Sequence, residues 1–338
     1  MPGSQHRVKD IGEFELIDRL TKTLPEAARA GPGVAIGIGD DAAVWTPNAG
    51  MSIVVTTDAL VEDVHFRLAW TDWTSLGHKT MAVNLSDIAA MGARPRVATI
   101  VLGLTGEELV TDIEALYVGA GRLAAAHGVV IAGGDVVRVP HDLTLGVTVL
   151  GEVAPGRVLT RSGAQPGDLI VVSGTLGASA AGMALLERGS DRSASGSLLA
   201  GAHLRPNPRI ALGQILFAQS VTATMDLSDG LLGDLPKILE ASGVSADLDV
   251  SALPILPALR ALFPADFEQL ALRGGEDYEL LMTVPADRFE GLRERASQIA
   301  ATLTPIGTIA SADGGNRLDL VKDGMPYRSE TEAFDHFG

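Results

Sequence analysis

Two stretches decide how this chain is read: Ser52-Ile53-Val54-Val55-Thr56-Thr57-Asp58 and Val129-Val130-Ile131-Ala132-Gly133-Gly134-Asp135. Each is a short run of aliphatic, mostly β-branched residues, bounded too closely to be a helix, and reads as a buried strand. Each stops at an aspartate beside Thr or Gly. Two further segments share the habit: Gly37-Ile38-Gly39-Asp40-Asp41, after the β-like run Val34 to Ile38, and Asp226-Leu227-Ser228-Asp229-Gly230, after Val221 to Met225.

Helices stand between these strands. A short one is expected around Phe14 to Leu20. Thr71 to Met91 reads as another, closed by Gly92. Met81, Leu85, Ile88 and Met91 form its apolar stripe, while Thr80, Asn84 and Asp87 share a different face. Thr105-Gly106-Glu107-Glu108 has the pattern of a capping box opening a helix to about His127, with Gly128 closing it. Leu143 to Leu150 alternates as a half-buried strand does. Gly151 to Asp168, rich in Gly and Pro, reads as a domain connection, which divides the chain into 1–150 and 151–338. The second half repeats the alternation. Leu169 to Ser173 is a strand, Gly174 to Gly177 a small-residue loop, Ser190 to Ala202 a Ser/Gly-rich mobile loop. A helix is expected from Asp229, a strand over Tyr278 to Val284, a helix over Pro285 to Ala300, and a hairpin over Leu318 to Tyr327 turning at Asp323-Gly324. Strand and helix alternating in both halves predicts two α/β domains.

Composition narrows the chemistry. The 338 residues suit two ordinary domains, and with 46% hydrophobic but only 4% aromatic residues their cores must be aliphatic. A net charge of −16 argues against nucleic acid and against anionic membrane surfaces. No cysteine is present, which removes disulfides, thiolate nucleophiles and Cys-zinc sites. The polar start and the lack of a long apolar run predict a cytoplasmic protein.

In open α/β sheets ligands gather beyond the carboxyl ends of the strands. Taken singly, each aspartate also fits a turn or an N-cap. Taken together with helical Asp87, they would repel one another and need cations. Hard oxygen donors without Cys or a His cluster point to Mg²⁺ or Mn²⁺, and magnesium of this kind most often carries a nucleotide's phosphates. No G-x-x-x-x-G-K-[ST] loop and no protein-kinase motif occurs. The five lysines, Lys9, Lys22, Lys79, Lys237 and Lys322, all lie outside Gly-rich loops. Arg161 in Leu159-Thr-Arg-Ser-Gly163 is a candidate phosphate clamp or a linker arginine. His65 fits a structural or a binding role. Gly274-Gly275-Glu276-Asp277-Tyr278 reads as a turn entering a strand.

The ordered set of motifs resembles the thiamine-monophosphate kinases. It runs through Gly37 to Val44, Thr56 to Val61 with His65-Phe66, Ala82 to Ala93, Gly133 to Asp135, Leu159 to Ala164, Asp226 to Gly230, Gly274 to Leu280 and Phe334-Asp335-His336-Phe337. The resemblance implies the two-domain aminoimidazole-ribonucleotide-synthetase-like fold with a cleft between the domains, and a homodimer formed through the N-terminal domains. It implies Asp41, Thr56, Thr57, Asp58, Asp87, Asp135, Asp226 and Asp229 as ligands of several Mg²⁺ ions. It implies Tyr117, Gly134, Asp135, Arg161 and Ser228 as ATP contacts, and His65, Glu276 and Phe334 on the thiamine-phosphate side. Phe334 stands where some relatives carry Tyr or Trp, so no hydroxyl is offered there. The activity implied is direct in-line transfer from ATP to thiamine monophosphate without a phospho-enzyme. Other superfamily members, acting on purine-pathway amidines or in hydrogenase maturation, are the alternative, as is a non-catalytic nucleotide sensor. Selenophosphate synthetases usually carry a catalytic Cys or selenocysteine, which this chain lacks.

Overall fold

In the computed structural model, residues 6–189, 193–312 and 315–329 are described. The chain divides into two compact units, residues 1–88 with 94–155, and residues 89–93 with 156–338.

The first unit runs α1 (Val8–Ile11), α2 (Glu13–Thr23), β1 (Val34–Ile36), β2 (Val44–Trp45), β3 (Ser52–Val61), α3 (Trp73–Ala90), β4 (Arg94–Leu104), α4 (Val110–Ala126), β5 (Val130–Arg138) and β6 (Thr144–Val153). Its four-stranded sheet has the order β3-β6-β4-β5. β6 is antiparallel to both neighbours, and β4 and β5, joined by α4, are parallel. Alternation along β3 sends Thr56, Asp58 and Leu60 to one face and Ile53, Val55 and Thr57 to the other. α3 lies on the first face. There Asn84 Oδ1 accepts the Asp58 N–H at 3.0 Å, and Thr56 Oγ1 donates to Asp87. Of the expected stripe, Met81, Leu85 and Ile88 are fully buried and Met91, beyond the helix end, is half-buried. α3 carries glycine where it crosses α4. A Cβ at Gly77 would fall 1.9 Å from the Leu116 carbonyl oxygen, and one at Gly119 would fall 1.9 Å from that of Thr74.

The second unit runs β7 (Asp168–Ser173), α5 (Ala178–Glu187), α6 (Ala194–Leu204), α7 (Ile210–Leu216), β8 (Ala223–Asp226), α8 (Leu231–Ser242), β9 (Ser245–Asp249), α9 (Pro257–Leu262), α10 (Phe267–Arg273), β10 (Leu280–Pro285), α11 (Phe289–Ser297), β11 (Leu303–Ala310), β12 (Leu318–Lys322) and β13 (Met325–Pro326). Its seven strands have the order β13-β12-β9-β11-β7-β10-β8, antiparallel except for β9 with β12. An aliphatic core including Ile170, Leu231, Leu235, Leu248 and Ile306 fills it.

Several expectations change. The sheets are mixed and mostly antiparallel, so the molecule is α+β and the crevice rule for open parallel sheets does not place its ligands. β3 and β5 do not stop at their aspartates: they continue to Val61 and Arg138, because aliphatic residues resume beyond each acid. β3 is half-exposed, not buried, with Val55 60% exposed. The Thr105–Glu108 box forms, with Glu108 accepting the Thr105 N–H at 2.8 Å, but it shapes a turn and the helix begins at Val110. Most of the expected mobile loop, Ser190 to Ala202, is helix α6. Ser193 caps it, accepting the Gly196 N–H at 3.0 Å, and Leu199 is fully buried. Its small residues serve close packing: a Cβ at Gly182 of α5 would fall 2.1 Å from the Leu199 carbonyl oxygen. β4, β9 and β11 lie where no strand was expected.

Alanine favours a helix interior over glycine by about 1 kcal/mol, but overpacking costs about 1–3 kcal/mol. Gly77→Ala is therefore expected to lower stability in chemical denaturation. Gly201→Ala in α6, where a Cβ meets nothing within 4 Å, should hold or raise it. Equal gains in both variants would contradict the close α3–α4 crossing.

Candidate active site

In the first unit the structure brings three expected residues together. Asp58 on β3 and Asp87 on α3 face each other closely enough for a hydrogen bond between their carboxyl groups, and Thr56 Oγ1 donates to Asp87 Oδ2. Asp58 as a residue is exposed, yet its carboxyl is pushed up from 3.8 to about 6, first by desolvation and then by the charge and hydrogen bond of Asp87. Asn84 pins the Asp58 peptide from α3, and its own amide donates to Thr80 O at 3.2 Å. Thr57, on the opposite face, donates to Val147 O at 3.1 Å and accepts from Thr148 Oγ1 at 3.0 Å.

The other first-unit candidates lie apart from this pair. Asp41 is exposed in a bend, its N–H bonded to Asp40 Oδ1 at 2.8 Å. Asp135 is exposed on β5, the opposite edge of the sheet from β3. Asp58 is aligned through Val147 and Ile100 with Gly134, three strands away, about 14 Å at ordinary strand spacing. A Cβ at Gly134 would fall 1.9 Å from Ile100 O, so that position requires glycine. Tyr117 is buried in α4, and burial pushes its phenol up. His65 Nδ1 accepts the Val61 N–H at 3.0 Å, which puts the neutral ring's proton on Nε2.

In the second unit, Asp226 ends β8 and is 6% exposed. The loop after it is laced to the segment 273–278. Ser228 O accepts the Glu276 N–H at 2.8 Å, and Leu227 O accepts the Tyr278 N–H at 2.9 Å. Glu276 and Tyr278 adopt φ of 65° and 50°, left-handed values that cost a side-chain-bearing residue about 1–2 kcal/mol each. Non-glycine residues held this way cluster at functional sites. Arg161 is exposed, its carbonyl accepting Ser242 Oγ at 3.2 Å. Phe334 lies outside the described residues.

Some supporting residues were not among the expected site residues. His203, 3% exposed on α6, places Nδ1 3.4 Å from Glu276 Oε2 and 3.1 Å from Ser179 Oγ. Asp277 caps α5, accepting N–H from Gly177 at 2.6 Å and Ser179 at 3.1 Å. Desolvation nonetheless raises its carboxyl to about 7. Asp234 and Lys237 brace the Asp226–Gly230 loop from α8. A lone helical His or Asp looks like any solvated polar residue until the fold buries it.

Among the described residues no three His, Asp or Glu side chains form a group that could hold a metal by themselves. The donor chemistry still fits magnesium, which is usually bound by one or two carboxylates together with substrate phosphates. A close carboxyl pair with a threonine hydroxyl supplies that share.

The comparisons define the class first. Residues 39–153 match the N-terminal domain of AIR synthase related proteins, and residues 165–318 match their C-terminal domain. The chain is 36% identical to a thiamine-monophosphate kinase of Bacillus subtilis, covering 97% of this chain and 100% of the relative. It is 40% identical to that of Salmonella typhimurium, covering 96% and 98%. The crystal structure of thiamine-monophosphate kinase from Stenotrophomonas maltophilia superposes with a TM-score of 0.82 at 42% identity, over 94% of this chain and 98% of that one. AaThiL complexed with AMPPCP and TMP superposes with a TM-score of 0.75 at 30% identity, over 99% and 100%. The chain therefore belongs to the thiamine-monophosphate kinase family, as its motifs led one to expect. A hydrogenase maturation protein HypE at 19% identity shares the fold.

The raised Asp58 carboxyl fixes a sign. Between about pH 4 and 6 the folded protein holds a proton that the unfolded chain has released, so stability falls as pH rises through that window. Without divalent cations, Asp58→Asn should melt above the parent at pH 8, with the gain vanishing below pH 4. Mg²⁺ should raise the parent's midpoint more than the variant's. A variant less stable than the parent at pH 8 would contradict this.

Proposed function

We propose that this chain transfers the γ-phosphate of ATP to thiamine monophosphate, giving thiamine diphosphate and ADP. The Asp58–Asp87 pair carries the reading. Two carboxyl groups held this close at the surface of a sheet are stabilised by a cation, and the family's named substrates are phosphates. Asp41, Thr56, Thr57, Asp58, Asp87, Asp135, Asp226 and Asp229 would hold several Mg²⁺ ions. Bound ions screen the donor and acceptor phosphates from each other.

The chain's own groups bind and orient. Gly134 lets backbone approach the nucleotide, with Arg161 and Ser228 on its phosphates, Asp135 reaching them through a bound ion, and Tyr117 toward the adenine. His65, through its Nε2 proton, suits the phosphate of thiamine monophosphate. Glu276 and the aromatic ring of Phe334 suit the cationic thiazolium. A phosphate oxygen of thiamine monophosphate attacks the γ-phosphorus in line, and the bond to the β-phosphate oxygen breaks. No side chain becomes phosphorylated.

The sheet also favours a dimer built through the N-terminal unit. Ile53, Val55, Val101 and Val137, 42–60% exposed, lie on the sheet face away from α3. Asp135 lies on this open face with Val101 and Val137, while Asp58 faces α3, so a second copy closing the open face would cover Asp135 and leave Asp58 under α3. We place the enzyme in the cytoplasm; among the described residues no helix is long and apolar enough to cross a membrane.

Incubation with ATP, Mg²⁺ and thiamine monophosphate should give thiamine diphosphate by chromatography, and unphosphorylated thiamine should give none. No consumption of either would refute the activity.

A further inference from the structure

The loop Asp226–Gly230 is braced from below by α8. Asp234, wholly buried, accepts the N–H groups of Ser228 at 3.0 Å and Asp229 at 2.9 Å on one carboxylate oxygen. Its other oxygen accepts Lys237 Nζ at 2.8 Å, and the same ammonium donates to Asp229 Oδ2 at 2.6 Å. The lysine thus spans a buried carboxylate and one 41% exposed. An ammonium is a compact charge on a flexible stem, able to keep one partner while releasing another. Asp234 holds the loop's backbone and, through Lys237, the loop's outer acid.

We propose that Lys237 is the resident counter-ion of Asp229, keeping the loop in its binding shape when no divalent ion is present and yielding Asp229 to the metal while it pivots on Asp234. This rests on the reading of Asp229 as a magnesium ligand. Lys237 is then a positioning residue that competes with the metal. It stabilises the metal-free loop and weakens metal binding by the same contact. Asp234 does not compete, because its oxygens are turned to backbone N–H groups and to the lysine.

The competition has a direction opposite to that of an ordinary binding residue. Removing a residue that merely supports the loop weakens metal binding. Removing a resident counter-ion strengthens it while lowering stability without metal. The burial of Asp234 makes the pair more than a surface contact, since losing Lys237 leaves a desolvated carboxylate with only its two backbone donors. For that reason the single variant is paired with one that removes both charges.

The test is Mn²⁺ binding followed by electron paramagnetic resonance with a non-hydrolysable ATP analogue present, together with thermal midpoints with and without Mn²⁺. The variants are Lys237→Met, Asp234→Asn/Lys237→Met and Asp229→Asn, each checked for native circular dichroism. The Mn²⁺ site that disappears in Asp229→Asn is the one compared. Lys237→Met should bind there about fivefold more tightly, the factor a partly exposed ion pair commands. It should also melt lower without metal and gain more on Mn²⁺ addition. The double variant should show the same tightening even if the single one does not fold. Unchanged or weaker binding in the folded variants, with the site still lost in Asp229→Asn, overturns the counter-ion role. Parental binding in Asp229→Asn instead removes the reading of Asp229 as a ligand, and the proposal with it.

Discussion

Two carboxyl groups, on a strand and on the helix that covers it, are held where their mutual repulsion is felt. Much of the first unit serves to keep Asp58 and Asp87 there. Asn84 ties the Asp58 peptide to α3, Thr56 ties the Asp87 carboxylate to β3, and Gly77 and Gly119 let α4 press close behind α3. A flexible surface would relieve the repulsion by turning one side chain away. Here the strand and the helix both have buried reasons to stay, so the strain is relieved by a proton or by a cation. Desolvation first, and then the charge and hydrogen bond of Asp87, lift the carboxyl of Asp58 to about 6.

The second unit solves a related problem with backbone. The loop after β8 and the turn before β10 come from distant parts of the chain, and three backbone hydrogen bonds lace them together. Left-handed Glu276 and Tyr278 absorb the geometry. Glu276 is thereby aimed by its main chain and braced by His203, while Asp277 beside it is spent on capping α5. Adjacent acids thus take different tasks, one paired with a histidine and one spent on a helix cap. Their environments decide this, not their residue type.

The family and its alternation of strand and helix were legible in the order of the motifs, and so was most of the stripe of α3, since helical periodicity survives in any context. The hairpin at Asp323-Gly324 was equally plain, and both residues have the positive φ such a turn needs. Strand ends were not legible: an aspartate inside β3 looks like a stop when its neighbours across the sheet are unknown. α6 was hidden because Ser and Gly signal mobility in isolation but permit close helix packing when a partner such as Gly182 faces them. Lys237 and His203 were invisible as site residues because their meaning lies in partners many positions away. The opposition of β3 and β5 across the sheet is a matter of strand order, which no local pattern encodes.

If close carboxylates relieved by divalent cations are the basis of the site, nucleotide binding must depend on those cations. The direct measurement is calorimetric titration of the full chain with a non-hydrolysable ATP analogue, in Mg²⁺ and in a chelator. Saturable binding in Mg²⁺ that disappears in the chelator is the result this structure calls for, since a chain of net charge −16 repels bare phosphates. Equal affinity in both buffers would contradict it, leaving arginine and backbone to hold the phosphates and the Asp58–Asp87 pair to an unrelated purpose.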